Sequence, residues 1–272
     1  MADLLLARSG TVPSRPGGPR QAAADCAILA LRSIRLATRR ADAMLTALLM
    51  PVMLMLVFGY LFGGAISAAI PGTGYVTYLA PGVVLTCVML GASTTAVTVN
   101  GDATAGIIDR FRALDINGAA FLAGHVSAAA LRNAVSAALV FAVAVPMGLR
   151  SAASPQAWLA VAGLIVLLIL AVSWLAALGG LLVSSPDAAS SFTFFLMLIP
   201  FTSSAFVPVA TMPHWLQAFA RNQPATIIIN SVRSLLEQQP AGTAPWLAVA
   251  WWGGLTLAAA ALSPAAFQRR AR

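Results

Sequence analysis

Residues 43–101 read AMLTALLMPVMLMLVFGYLFGGAISAAIPGTGYVTYLAPGVVLTCVMLGASTTAVTVNG, with no charge anywhere between Asp42 and Asp102. A bilayer crossing needs about 20 apolar residues, so this stretch is too long for one span and long enough for two. Glycine and proline punctuate it from Gly63-Gly64 through Pro71-Gly72-Thr73-Gly74, which puts spans near 43–63 and 76–99. An apolar pair of this size decides the fold class. The chain is built for lipid.

Working outward, the other charge-poor runs supply four more spans. The uncharged run between Arg132 and Arg150 carries the third, near 128–149. The fourth falls near 157–183, the fifth near 188–207 and the sixth near 244–264. Composition agrees: 60% of the 272 residues are hydrophobic, 9% are charged, and the mean hydropathy is +0.87. An ordinary soluble domain has roughly 25% charged residues, and so few could not cover its surface. The expected architecture is all-α, with six transmembrane helices spread over residues 43–267.

The 16 basic residues are all arginine. Without lysine there is no P-loop lysine, no Schiff base and no lysine general base. The chain therefore cannot bind nucleotide through a Walker A loop of its own. The net charge is +8. The cations sit beside apolar runs, so anionic lipid headgroups suit them better than nucleic acid. With the N-terminus inside, the inner segments carry Arg8, Arg15, Arg20, Arg32, Arg35, Arg39, Arg40, Arg110, Arg112, Arg269, Arg270 and Arg272. The outer ones carry Arg150, Arg221 and Arg233. Twelve against three predicts cytoplasmic termini at both ends, the last being a basic tail over 268–272. Cys26 and Cys87 lie far apart and form no disulfide framework.

Residues 1–24, with Pro13, Pro16 and Pro19, read as a disordered cytoplasmic arm. Residues 25–42 read as a helix with Arg32, Arg35 and Arg39 on one face and Ala27, Leu31 and Ile34 on another. That pattern lies in the headgroup plane, the alternative being a solvated basic linker. After the second span, Ile107, Ile108, Phe111 and Leu114 recur at helical spacing among Asp102, Asp109, Arg110 and Arg112. This is an amphipathic helix presented to a partner, or a headgroup-plane loop without one.

Several motifs, taken in order, carry a resemblance. They are Pro51 with Phe58-Gly59-Tyr60-Leu61-Phe62-Gly63, Tyr78-Leu79-Ala80-Pro81-Gly82, and Gly106-Ile107-Ile108-Asp109-Arg110-Phe111-Arg112-Ala113-Leu114. Further along come Phe206-Val207-Pro208-Val209, Met212-Pro213-His214-Trp215-Leu216-Gln217, Gln223-Pro224-Ala225-Thr226 and Val232-Arg233-Ser234-Leu235-Leu236. Together, over roughly residues 25–267, they resemble the permeases of type-2 ABC exporters, in the daunorubicin/doxorubicin drug-resistance branch. One position departs: Asp115 stands where that family usually has proline. Aspartate caps a following helix where proline would stop one.

The resemblance implies a bacterial plasma-membrane permease that dimerises with a second copy or a paralogue. It also implies a separate cytosolic ATPase subunit, which would hold the ATP and Mg, with no cofactor bound by this chain. Residues 25–41 become the interfacial helix and residues 104–116 the coupling helix. The ATPase-coupling residues are then Ile108, Asp109, Arg110, Phe111, Arg112 and Asp115, with Arg32, Arg35 and Arg39. Residues 211–237 become a re-entrant hairpin marked by Pro213, Trp215, Pro224 and Arg233. The implied cargo is a hydrophobic or amphipathic small molecule; the same fold could instead export a lipid, glycolipid or polysaccharide.

The remaining polar and small residues have competing roles. Arg132 either snorkels to cytoplasmic headgroups or pairs with the coupling helix or the ATPase. Gly59 and Gly63 form a Gly-x-x-x-Gly pair for close helix approach, within the chain or at a dimer seam. Met50, Met53 and Met55 fill core or offer an adaptable surface. His125 and His214 sit singly, which disfavours a metal site. They also fall at opposite faces of the bilayer, which disfavours an intramembrane hydrolase. A proton-coupled carrier would need a carboxylate in mid-span, and the predicted spans have none.

Overall fold

The computed structural model describes residues 41–67, 74–105 and 118–270. Helix α1, Ala41–Leu56, runs into a π-turn at Val57–Leu61, and a short α2 follows at Gly63–Ser67. The long helices α3 (Tyr75–Thr104), α4 (Gly118–Ala144) and α5 (Pro155–Leu182) come next. Then come α6 (Pro186–Leu198), 3-10 turns at Pro200–Thr202 and Val209–Thr211, α7 (His214–Asn222), α8 (Pro224–Leu236) and α9 (Ala244–Arg270). Among the described residues every regular element is helical.

The helix starts follow local chemistry. Ser154 and Ser185 each cap a helix by accepting the N–H of the residue three further on, with Pro155 and Pro186 in the first turn. Four helical stretches are long and apolar enough to cross a membrane: Tyr75–Thr104, Phe121–Ala144, Pro155–Leu182 and Ala244–Arg270.

Helix α3 is the hub and packs on α1, α4, α5, α6 and α8. Of its apolar window 67% is buried inside the protein, against 22% for α9. The difference explains why α9 shows Trp246 and Leu257 on its surface, a face suited to lipid. Two glycines let helices approach this hub at backbone distance. A Cβ on Gly82 would collide with the Ala205 carbonyl, and one on Gly180 with the Ala96 carbonyl.

Three expectations shift. The third span begins near residue 118 rather than 128, because Arg132 is not a boundary charge but lies well inside α4. The stretch expected to hold the fifth span contains only a 13-residue helix ending at Leu198, since Pro200 lacks the N–H that would continue it. Helix α9 runs through Pro264 to Arg270, so residues 268–270 are its last turn rather than a tail. Arg270 anchors that turn by donating to Val183 O at 2.5 Å.

Candidate functional site

Among the described residues the most completely bonded polar group is Arg233, on α8, and the sequence around it explains the site. Beyond α6 the chain cannot stay helical: Pro200 breaks it, and residues 203–205 are a Ser-Ser-Ala stretch. Their carbonyls are buried, and a buried carbonyl without a donor costs about 1–3 kcal/mol. Arg233 supplies the donors. Its Nη2 donates to Ser204 O (2.6 Å) and Ala205 O (3.2 Å), and its Nη1 to Ser204 Oγ and Asn230 Oδ1 (both 3.2 Å). Its Nε donates to Tyr78 O at 2.9 Å. Guanidinium has five N–H donors in a planar fork, and here all find acceptors.

The ring of Tyr78 lies 3.4 Å from the guanidinium carbon, a cation–π contact, and Tyr78 Oη donates to Ser204 O at 2.9 Å. Gln223 Nε2 donates to Thr202 O, just before the Ser203-Ser204-Ala205 stretch. Arg233 is 7% exposed, and among the described residues no carboxylate pairs with it. Glu237 stands one turn on, outside the apolar helices. Burial pushes its carboxyl above the ordinary range, against the opposing pull of Arg233.

The rest of the predicted hairpin is placed as follows. Pro213 precedes α7, and Gln223 separates α7 from α8 with Pro224 opening the latter. Trp215 is 80% exposed and Phe219 is exposed too, so α7 turns apolar side chains outward. Helix α8 instead packs on α3, α5 and α9. Its Ile228, Ile229, Val232 and Leu236 are buried.

The opposite end of the bundle, where α3 finishes, carries a looser set. His125 Nε2 lies 3.3 Å from Asp102 Oδ2, joining α4 to the last turn of α3. The ring of Phe121 meets His125 edge-on and also touches Phe267 of α9. Asn100 Nδ2 donates to Gly180 O (3.0 Å) and Val183 O (2.7 Å), holding the α5–α6 joint. Its Oδ1 is buried and accepts no hydrogen bond. These contacts flank residues 106–117.

The predicted coupling residues Ile108, Asp109, Arg110, Phe111, Arg112 and Asp115, and Arg32, Arg35 and Arg39, lie outside the described residues. Gly59 faces the Met147 side chain, with Leu79 beyond it, and Gly63 faces Tyr75. Of the three methionines Met55 is buried, while Met50 and Met53 are exposed. Arg132 bonds inside the bundle, and the coupling helix expected to meet it lies outside the described residues. Its Nη2 donates to Gly91 O (3.2 Å) and Thr95 Oγ1 (3.0 Å) on α3, about 10–16 Å along the helix from Asp102. Among the described residues no group of His, Cys, Asp and Glu could hold a metal ion.

Sequence reasoning named Arg233 but missed Tyr78, Ser204 and Asn230 as its partners. The available signal was a Pro-interrupted apolar segment, whose freed carbonyls require a donor from elsewhere.

Comparison with known proteins places this geometry. Residues 24–236 match the family described as ABC-2 type transporter. The chain is 33% identical over 218 residues to a daunorubicin resistance ABC transporter permease protein of Streptomyces coeruleorubidus, covering 78% of this chain and 72% of that protein. It is 22% identical over 255 residues to a probable doxorubicin resistance ABC transporter permease protein of Mycobacterium tuberculosis, covering 91% of each.

Proposed function

The chain belongs to the ABC-2 type transporter family, in the branch of the daunorubicin and doxorubicin resistance permeases, and from that premise we propose that it is the membrane subunit of an ATP-driven exporter. The cargo in this reading is a hydrophobic or amphipathic small molecule, moved out across the cell membrane. ATP and Mg belong to a separate cytosolic ATPase, and a second permease copy or paralogue completes the pathway. The observation that carries the reading is the family match over residues 24–236, laid on a bundle of long apolar helices.

Six crossings fit this reading. Helix α1 with its π-turn supplies the first, over 41–61. The fifth begins at the level of Asn100 and ends at the level of Gly82, a path of about 27 Å along α3. That approaches the ~30 Å hydrocarbon core. Its last stretch is non-helical, which a membrane tolerates where protein donors cover the backbone, as Arg233 does. Helices α7 and α8 form the re-entrant hairpin. The arginine bias puts both termini in the cytoplasm.

No residue of this chain is catalytic in this scheme. ATPase movement enters through the helix over 104–116, with Phe111 as its central anchor. Truncating a buried aromatic anchor costs about 2 kcal/mol, so Phe111→Ala weakens ATPase binding roughly 30-fold. Co-purification over a range of ATPase concentrations reads this, with membrane expression of the variant as control. Wild-type affinity in Phe111→Ala would move the contact to Arg32, Arg35 and Arg39. ATP hydrolysis by the purified permease alone in liposomes would sink the exporter reading itself.

A further inference from the structure

Interiors of this kind are close-packed, and a void larger than a few waters is unusual. Beneath the bend of the hairpin lies a half-open cavity of about 360 Å³. Its volume falls within the roughly 300–1,000 Å³ of small-molecule sites. The cavity is built within a single chain, between α3, α5, α6, α9 and the α7–α8 bend. Its walls include Met89, Val172, Leu196 and Trp252, and its polar lining is confined to Asn222 and Gln223.

The orientation of those polar groups defines the chemistry. Trp252 Nε1–H is used on Pro224 O, Gln223 Nε2 on Thr202 O, and Asn222 Nδ2 on Ala218 O. Each amide nitrogen spends one of its two N–H groups on a backbone carbonyl, and the amide oxygens are left as the acceptors of the lining. No arginine or histidine lines the cavity, so nothing there compensates an anion. The rings of Trp252 and Phe219 offer faces that attract a flat ring or a cation.

We propose that this cavity binds a neutral or cationic amphiphile, with its apolar body against Met89, Val172 and Trp252 and a hydroxyl or ammonium head at the Asn222 and Gln223 oxygens. The occupant is cargo, so each permease copy holds its own cargo site; this second step rests on the exporter reading. An anionic head would find no compensating cation in this lining and is disfavoured.

The test uses the full chain in phosphatidylcholine nanodiscs, without ATPase, titrated with rhodamine 6G by fluorescence anisotropy. Saturable binding is expected with one probe per chain, not displaced by oleate. Leu175→Trp, which fills the cavity from α5, should weaken it at least tenfold, and Leu255→Trp does the same from α9 if the first variant fails to fold. Asn222 is exposed, so Asn222→Asp changes charge with little effect on packing. It should tighten rhodamine about three- to fivefold and leave uncharged Nile red unchanged. Non-saturable uptake, unchanged binding in both tryptophan variants, or equal displacement by oleate would overturn the site. Reconstitution with the ATPase separates the two readings. Wild-type export by a variant that no longer binds would refute the cargo assignment. Absence of ATP-driven export in the wild type would refute the exporter reading and leave the binding result standing.

Discussion

Where α3 begins, Arg233 places all its N–H groups on carbonyl, hydroxyl and amide oxygens, and Tyr78 covers its face. Where α3 finishes, the pair of Asp102 and His125 is partly open to the surface and Asn100 keeps a buried oxygen without a donor. The first end is saturated and geometrically fixed. The second holds its helices with fewer and more replaceable contacts, next to the segment that the exporter reading assigns to the ATPase. A saturated network resists displacement, because moving any member strands several others. An end that must transmit movement needs the opposite property, with low-cost rearrangement of polar partners.

The largest effect should come from breaking the saturated end. Arg233→Met leaves the Ala205 carbonyl in the protein interior without its donor and takes one donor each from the Tyr78 and Ser204 carbonyls, at about 1–3 kcal/mol for an unsatisfied group. The variant should lose on the order of 10 °C in thermal stability or fail to accumulate. Arg233→Lys, with a compact head and three donors, should recover only part of the loss. Fluorescence-detected gel filtration after heating gives both values. An Arg233→Met protein as stable as wild type would mean the network is ornamental and the contrast between the ends is false.

Next comes the contact that the network protects. Gly82→Ala sets a methyl against the Ala205 backbone, and overpacking of that kind costs about 1–3 kcal/mol. If the broken segment can slide, the cost vanishes and this end is softer than the hydrogen bonds suggest. Smaller again is Asn100→Ala. It removes two hydrogen bonds, each worth about 0.5–1.5 kcal/mol net, but also a buried oxygen that already lacked a partner. A loss as large as that of Arg233→Met would show the two ends to be equally rigid.

The smallest stability effect belongs to His125→Ala, since a partly exposed ion pair is worth about 0–1 kcal/mol. Its readout is functional. ATP hydrolysis by the assembled complex should continue while transport per ATP falls, because α4 is released from the end of α3. Unchanged transport would free the Asp102–His125 pair from any part in coupling.

Much of this architecture is legible in the sequence because charges avoid hydrocarbon. Charge-free runs locate α3, α5 and α9 to within several residues. The same rule misplaced the start of α4, since it took Arg132 for a boundary. A guanidinium can stay inside if a neighbouring helix exposes an acceptor, and Gly91, without a side chain, leaves its carbonyl open to Arg132. Charge counting placed Arg233 among the outer segments without pointing to its partners. Its partners lie up to 155 residues away in sequence, and no local pattern reveals a contact of that range. The shortness of α6 was foreshadowed by Pro200, but the segment that replaces its last turns is defined only by tertiary packing against Gly82.

Arg233 also sets an order of events for a chain made from its N-terminus. The Ser204 and Ala205 carbonyls precede their donor by 29 and 28 residues. At about 5–20 residues per second, synthesis leaves them without it for roughly 1–6 s. During that interval the Ala205 carbonyl lacks its donor, and if this segment is the fifth crossing of the exporter reading it cannot be released into lipid without penalty. The insertion machinery must therefore keep this crossing in a wet or proteinaceous compartment until the hairpin emerges. In that reading α6 and the α7–α8 hairpin enter the membrane together, as one unit rather than one by one.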